Sequence, residues 1–430
     1  MATVLIVVFF ISLFLGLPVF LTMCIAVIFA FVESGGIALT MLPQQIFAGI
    51  NSFPVMAIPL FIMASDLMTE GKLTDMLITF CNDYLGRITG GLGHVNVALS
   101  MIFGGISGSA VADAAGPSKI VMFMMRGAGY DRYYSGAITA ASSVIGIIIP
   151  PSIPMVIYSL SDGKTSTMGL FAAGYIPGIL VGLSLMVLNG LMSKRHGYRY
   201  STEKISWKQK LSSLWHAMPG LIMPIIIIVC TVGGVTTPTE AGAIAVAYAL
   251  VVGFVITRKL TFRRLAKVMI QSAIVSSSVM MIVAMGYLFS WVLTYARIPQ
   301  QAAAFVGTLT DNPTIMLFLI SILVIVTGMF VDTIPAIMIL APIVSSIGAS
   351  YGINPFQTGV VVVVGIGIGM LTPPVAPLLF ITSTIGRLRL EKLIVASLPF
   401  MLVELTVLIL LILIPPLTTW LPAVLGYGGF

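Results

Sequence analysis

Charged residues are scarce in this sequence. Asp, Glu, Lys and Arg together account for 8% of the 430 residues, whereas a soluble domain carries about a quarter. Hydrophobic residues make up 58%, the mean hydropathy is +1.11, and most of the apolar runs are as long as the roughly 20 residues that a membrane-spanning helix needs. The shortage of charge excludes a soluble globular protein and predicts an all-α polytopic membrane protein.

Cysteine and histidine are also rare. Cys24, Cys81 and Cys230 stand apart and form no C-x-x-C pair, so they indicate neither a metal site nor a disulfide framework. The 3 histidines have no metal-ligand spacing. The apolar run from residue 2 to residue 31 lacks a basic leading segment and is too long for a cleavable signal peptide.

The net charge of +7 is carried mainly by two segments, 193–210 and 257–267. Both lie between apolar runs, as cytoplasmic loops do under the positive-inside rule, so the basic balance does not indicate nucleic acid. Arg126 falls at the predicted cytoplasmic end of an apolar arm. We therefore interpret it as a topological residue and not as a clamp for a carboxylate.

Two stretches, 94–127 and 314–349, each contain an apolar arm, a tip of small and polar residues, and a second apolar arm. Arms of about 10 to 15 residues are too short to cross a bilayer comfortably, which predicts re-entrant hairpins. The other apolar segments are 4–32, 53–69, 133–160, 169–192, 218–234, 239–257, 269–295, 356–382 and 393–416.

The chain repeats itself at an offset of 223 residues. GIIIPPSIP (146–154) falls on GMLTPPVAP (369–377), so the double proline Pro150–Pro151 has a counterpart in Pro373–Pro374. Proline breaks a helix because it lacks an N–H and clashes with the preceding turn. With the basic loops cytoplasmic, the first copy rises and the second descends. The sequence thus predicts two inverted repeats, each with a re-entrant hairpin and a proline-broken helix.

Inverted repeats with interrupted helices are typical of secondary transporters. Unwound carbonyls can coordinate a cation, while half-helix N-termini favour an anion. An ionisable residue inside a membrane is a functional candidate, since its insertion costs roughly 2.5–3.5 kcal/mol. Glu240 is interpreted instead as part of a capping box with Thr237. The candidates at the tips and breaks are the hydroxyls of Ser107, Ser109, Ser152 and Thr372 and the carboxylates of Asp113 and Asp332.

Four stretches together resemble the large membrane subunit of tripartite ATP-independent periplasmic (TRAP) transporters, the DctM-like permeases, over essentially the whole chain. They are GGISGSAVADAAGPS (104–118), GIIIPPSIPMVIY (146–158), TTPTEAGA (236–243) and GMLTPPVAPLLF (369–380). The resemblance implies a sodium-driven importer of small carboxylates such as sialic acids, sugar acids or C4-dicarboxylates. Its partners would be a small four-helix membrane subunit, which we expect to be separate because no further helices precede Met1, and a periplasmic substrate-binding protein.

The resemblance also implies which residues bind. Sodium would be held around Gly105, Ser107, Asp113, Gly328, Asp332, Thr333, Thr372 and Pro374, and substrate around Ser107, Ser109, Ser152 and Asp332. ATP is not implied, and no P-loop lysine motif occurs. The family places such proteins in the bacterial inner membrane.

The implied mechanism is of the elevator type, as in the ion-transporter superfamily, with transport halves at 91–165 and 313–388. Residues 1–90 and 166–312 would supply the scaffold helices and the arm segment of each repeat, which is distinct from the hairpin arms. Residues 389–430 would form a C-terminal helix and tail. The alternative is a stand-alone ion-coupled anion symporter that needs no binding protein. An intramembrane protease is disfavoured, because no histidine lies in the apolar segments after the GxSG stretch 105–108.

Overall fold

The computed structural model describes residues 1–35, 40–198, 206–308 and 310–427, and all regular secondary structure within those ranges is helical. Among the described residues, eight helices are long and apolar enough to cross a membrane, and a bent helix pair would add a ninth span. The prediction of an all-α multi-pass membrane protein is confirmed.

The first-half helices are α1 (Ala2–Phe14), α2 (Val19–Ser34), α3 (Met41–Ile50), α4 (Ala57–Glu70), α5 (Leu73–Leu85), α6 (Gly91–Ser107), α7 (Ala110–Ala115), α8 (Pro117–Gly127), α9 (Arg132–Ile148), α10 (Ile153–Asp162) and α11 (Thr167–His196). The second-half helices are α12 (Trp207–Val232), α13 (Pro238–Val251), α14 (Phe262–Tyr295), α15 (Ile298–Val306), α16 (Pro313–Phe330), α17 (Thr333–Ser350), α18 (Pro355–Leu371), α19 (Pro377–Gly386), α20 (Leu390–Leu413) and α21 (Pro416–Val424).

Short polar side chains followed by proline set the start of several helices. Asn312 Oδ1 accepts a hydrogen bond from the N–H of Thr314 at 2.9 Å, and Pro313 takes the first helical position. Asn354 and Pro355 repeat the arrangement at the start of α18. These caps satisfy N–H groups that have no partner within the helix, and proline has no N–H to leave unpaired.

The predicted capping box at the start of α13 is confirmed. Thr237 Oγ1 accepts from the N–H of Glu240 at 3.3 Å, and Glu240 Oε2 accepts from the N–H of Thr237 at 2.8 Å. The Glu240 carboxylate is therefore engaged with the end of its own helix, as the sequence indicated.

The first apolar run, 4–32, is not a single span. Gly16 and Pro18 separate α1 from α2, and the two helices fold back on each other, since the Met1 amino group pairs with the Glu33 carboxylate at the far end of α2. Gly16 takes a left-handed φ of +78° in this turn, which glycine adopts at little cost. The run therefore forms a short helical hairpin.

The stretches 94–127 and 314–349 each form a helix, a tip and a return arm, but the arms are longer than the sequence indicated, so their re-entrant course stays a prediction. The arms α16 and α17 have 18 residues each, or about 27 Å, enough to approach the thickness of the hydrocarbon core. The two arms run antiparallel, because Tyr351 at the end of α17 donates its hydroxyl to the Thr310 carbonyl at 2.6 Å, just before α16. In the first hairpin the return arm is divided at Gly116 into α7 and α8.

The repeat found in the sequence recurs in the helix bounds. Shifted by 223 residues, α9 falls on 355–371, which is α18, and α7 with α8 falls on 333–350, which is α17. The first proline pair bends α9 and α10 by 46°. The second pair lies in a five-residue break, 372–376, between α18 and α19. Each half thus contains a hairpin followed by an interrupted helix.

The two interrupted helices pack against each other in opposite directions. Gly136 near the start of α9 lies against Thr382 in α19, and Gly359 near the start of α18 lies against Tyr158 in α10. Between them Gly367 contacts Val144, which is its own counterpart at the offset of 223. These reciprocal contacts are the ones that the predicted inverted repeat would produce, with equivalent positions of the two halves meeting.

Candidate functional site

The two hairpin tips face one cavity of about 370 Å³. The tips contribute the end of α6 with the start of α7, and the start of α17. The interrupted helices contribute the last turns of α9 and α18 and the start of α10. The remaining wall comes from α4 and α14. The cavity therefore lies where both predicted transport halves meet helices that were predicted to belong to the scaffold.

The first tip is docked directly on the first helix break. Gly108 ends α6 with a left-handed φ of 63°, and its carbonyl accepts a hydrogen bond from the N–H of Ile153 at 3.2 Å. Ser109 follows as the N-cap of α7 and accepts from the N–H of Ala112. Ser107 and Ser109, two residues of the predicted substrate set, both line the cavity.

The second tip supplies a carboxylate. Asp332 is the N-cap of α17, with Oδ1 accepting from the N–H of Thr333 at 2.8 Å, and its side chain is exposed to the cavity. Thr333 also lines the cavity, and its hydroxyl contacts Met370 Sδ at 2.9 Å. Four of the predicted site residues, two from each tip, are therefore brought together on one surface.

Asp113 lies behind the cavity wall and not on its surface. The carboxylate is fully buried, and its Oδ2 accepts from the hydroxyls of Ser100 at 2.7 Å and Ser118 at 3.0 Å. The hydroxyl of Ser142 lies 3.0 Å from that of Ser100, while Asp113 Oδ1 has no partner among the described residues. This cluster joins α6, the return arm and α9 through oxygen atoms alone.

The other predicted residues occupy the breaks and the helix crossings. Ser152 caps α10, since its hydroxyl accepts from the N–H of Met155 and donates to the Ile147 carbonyl, and it does not line the cavity. Thr372 ends α18 and donates to the Ile368 carbonyl at 2.7 Å. Three predicted residues remain. Gly105 faces Pro150, and Gly328 packs on Gly369. Pro374 is exposed in the second break.

Sequence reasoning missed the wall opposite the tips. Ser65 and Asp66 of α4 line the cavity, and Asp66 Oδ2 accepts from the hydroxyl of Ser272 in α14 at 2.6 Å. A signal was available, because Asp66 is an acidic residue inside the apolar segment 53–69, as Asp332 is inside its own. Asp66 lies outside the repeated tips and breaks, so the repeat pattern does not point to it.

Helix ends of both polarities converge on the cavity. The N-terminal turns of α10 and α17 contribute Ile153 and Thr333, while the C-terminal turns of α6 and α18 contribute Ser107 and Met370. The positive end of a helix dipole favours an anion and the negative end favours a cation. No basic side chain is among the described residues that line the cavity. An anion here would be bound by N–H groups and hydroxyls, and a cation by carboxylates and carbonyls.

Comparisons with known proteins agree with this architecture. A family model described as "Tripartite ATP-independent periplasmic transporter, DctM component" matches residues 6–417. The sialic acid TRAP transporter large permease protein SiaM of Vibrio cholerae is 34% identical over 418 residues, 97% of each chain. The 2,3-diketo-L-gulonate permease protein YiaN of Escherichia coli is 34% identical over 377 residues, 87% of this chain and 88% of the relative. The isethionate permease protein DctMQ of Oleidesulfovibrio alaskensis is 33% identical over 97% of this chain, which spans 64% of that relative.

Solved structures share the fold at low sequence identity. The YdaH transporter of Alcanivorax borkumensis superposes with a TM-score of 0.64 at 15% identity, covering 90% of this chain and 88% of its own. MtrF of Neisseria gonorrhoeae gives 0.60 at 13% identity, covering 89% and 85%. The sequence matches run from end to end and include relatives more than 30% identical. The chain therefore belongs to the DctM family, the large permease component of TRAP transporters, which are ATP-independent and are not enzymes.

Proposed function

We propose that this permease imports a small organic anion together with sodium, taking the anion from a periplasmic substrate-binding protein. The observation that carries the proposal is that both hairpin tips face one cavity, with Ser107 from the first tip and Asp332 from the second. A cavity shared by two oppositely directed half-sites can be exposed to either side of the membrane in turn, which is what alternating access requires.

Sodium is the coupling ion in this proposal because the site is rich in oxygen ligands. Asp332 and Thr333 lie at the second tip, and the Asp113 cluster behind the first tip offers a carboxylate among hydroxyls. Hard cations prefer such oxygen ligands. The proposed sodium positions are those near Gly105, Ser107, Asp113, Gly328, Asp332, Thr333, Thr372 and Pro374.

The substrate class follows from the relatives and from the cavity. Three relatives are named for sialic acid, 2,3-diketo-L-gulonate and isethionate, and each of these compounds is a small hydroxylated anion. The described lining offers hydroxyls, helix N-termini and carboxylates but no basic side chain. Asp66 and Asp332 could accept hydrogen bonds from substrate hydroxyls, so a singly charged polyol fits this lining better than a C4-dicarboxylate does.

The proposed partners are a small four-helix membrane subunit and the binding protein, in the bacterial inner membrane. Residues 91–165 and 313–388 would move together as a transport domain, elevator-fashion, against a scaffold that includes α4 and α14. The position of the cavity between these groups supports that division, because sliding one past the other would carry the site across the membrane.

Uptake into proteoliposomes tests the proposal. The purified permease with its small subunit is reconstituted, and radiolabelled sialic acid uptake is measured with and without a sodium gradient and the cognate binding protein. Asp332→Asn and Ser107→Ala should abolish uptake while the protein elutes as a folded monodisperse species. Asp75→Asn, which removes only a surface ion pair with Lys72 at 3.1 Å, is the matched control and should transport normally.

Two results would contradict the proposal. Normal uptake in both site variants would show that the cavity is not the transport site. Sodium-driven uptake without any binding protein would favour the alternative of a stand-alone symporter.

A further inference from the structure

A basic groove lies at the start of α14, one helical turn along α4 and α14 from the transport cavity. It has a volume of about 640 Å³ and is lined by Arg263, Arg264 and Lys267, with Glu70 of α4 at one side. Glu70 lies 3.6 Å from the Arg264 guanidinium, which also donates to the Lys259 carbonyl at 3.0 Å. Arg264 is thus held in place, while Arg263 and Lys267 form no ion pair with any residue that the structure describes.

The loop that precedes the groove is fixed by backbone contacts. The chain leaves α13 through a π-helical turn, Val252–Ile256, and the N–H of Leu260 bonds back to the Gly253 carbonyl at 3.1 Å. Leu260 is buried, and the rings of Phe254 and Phe262 lie 5.3 Å apart. The basic residues of the groove therefore project from a defined surface.

Cations and apolar side chains follow one another along a single face of α14. Arg263, Lys267, Ile270 and Ile274 are spaced by four, three and four residues, which places them in one line on a helix. Ile270 is 62% exposed and Ile274 is 63% exposed. The line passes from two exposed charges to two exposed apolar side chains.

The length of α14 sets the depth of this line. A helix of 34 residues is about 51 Å long, whereas the hydrocarbon core is about 30 Å thick. Because the basic residues lie in its first turns, we place those turns in the headgroup layer and the turns with Ile270 and Ile274 in the hydrocarbon. Phosphate groups and acyl chains of lipids lie at these same two depths.

We propose that this groove binds an anionic glycerophospholipid, with its phosphate between Arg263 and Lys267 and an acyl chain along Ile270 and Ile274. Charge complementarity selects the lipid, since three cations face one carboxylate in the groove. Basic pockets between membrane helices on the cytoplasmic side bind such headgroups. The lipid would anchor α14, which also forms the scaffold wall of the transport cavity.

Native mass spectrometry of the full-length permease, titrated with phosphatidylglycerol, tests the inference. The variant Arg263→Gln/Lys267→Gln should bind about 25-fold more weakly, since each basic residue near an anionic lipid contributes about fivefold. Lys267→Gln alone should give about fivefold, which keeps the test available if the double variant does not fold. The control Lys208→Gln/Lys210→Gln removes an equal charge from the start of α12 and should leave binding unchanged.

Three outcomes would overturn the inference. If both double variants lose the same affinity for phosphatidylglycerol, the lipid is attracted diffusely by basic loops and not by this groove. Equal affinity for glycerophosphoglycerol, which has the headgroup without acyl chains, would exclude the apolar part of the site. Loss of the small subunit from the groove variant, with phosphatidylglycerol binding unchanged, would assign the surface to a protein partner.

Discussion

Replacing Gly108 with alanine tests whether the first hairpin tip must stay docked on the first helix break. Gly108 has a φ of 63°, a left-handed conformation that costs other residues about 1–2 kcal/mol. An added Cβ would lie 2.5 Å from the Pro151 carbonyl oxygen and 2.9 Å from the Ile153 nitrogen. Both are backbone atoms that cannot rotate away, so the tip must move off the break.

That movement breaks the hydrogen bond from the Ile153 N–H to the Gly108 carbonyl, which is 3.2 Å long. A buried donor left without a partner costs about 1–3 kcal/mol. Together with the backbone strain, Gly108→Ala should destabilise the protein by about 3 kcal/mol. It should also abolish uptake, because Ser107 and Ser109 flank this residue and line the cavity.

Gly163→Ala is the matched control. Gly163 ends α10 with a φ of 68°, and an added Cβ would meet nothing within 4 Å. It therefore bears the backbone strain of about 1–2 kcal/mol without the collision. Thermal unfolding in detergent and proteoliposome uptake are measured for both variants. Equal melting temperatures and equal uptake for the two would refute the reasoning, since the collision with the break would then have no effect.

Three further substitutions separate binding from structure. Asp113→Asn should raise the sodium concentration needed for half-maximal uptake, because it removes the buried carboxylate that we propose as a sodium ligand. An unchanged sodium dependence would exclude a coupling role. Arg126→Gln should lower the free energy of unfolding by about 1–2 kcal/mol, since Arg126 Nη1 donates to the Gly386 carbonyl at 2.9 Å and so joins α8 to α19. Thr237→Ala should lower the free energy of unfolding by about 1 kcal/mol, because it removes the cap that accepts the Glu240 N–H, and it should leave uptake unchanged. Thermal unfolding and uptake are measured, and a loss of uptake would show that this helix start has a functional role.

The repeated architecture could be predicted because its signals are local. Pro150–Pro151 and Pro373–Pro374 break their helices through the missing N–H and the steric clash of proline, whatever surrounds them. Thr237 and Glu240 formed a capping box for the same reason, since both partners lie within one turn of the chain. Patterns that act within a few residues can be interpreted without knowing the tertiary packing.

The composition of the cavity could be predicted only in part, because it depends on which helices meet. Asp66 reaches the site through the packing of α4 on α14, and its hydrogen bond to Ser272 spans 206 residues of sequence. Asp113 looked equivalent to Asp332 as an acidic residue near a tip, but the fold buries it among serines from α6, α8 and α9. No periodicity within a single segment contains that information.

The repeat also overstates the symmetry of the two half-sites. Gly108 closes the first tip on its break, whereas the equivalent position in the second half is Val331, whose φ of −122° is extended. Among the described residues no hydrogen bond corresponding to that of Ile153 is made by Ala376, and Val375 beside it is 45% exposed. The first break is buried and tied to its hairpin, while the second is open. Since the first tip is held on its break by a backbone hydrogen bond and the second is not, the two half-sites differ in how each tip meets the neighbouring break, although the sequence repeat makes them look equivalent.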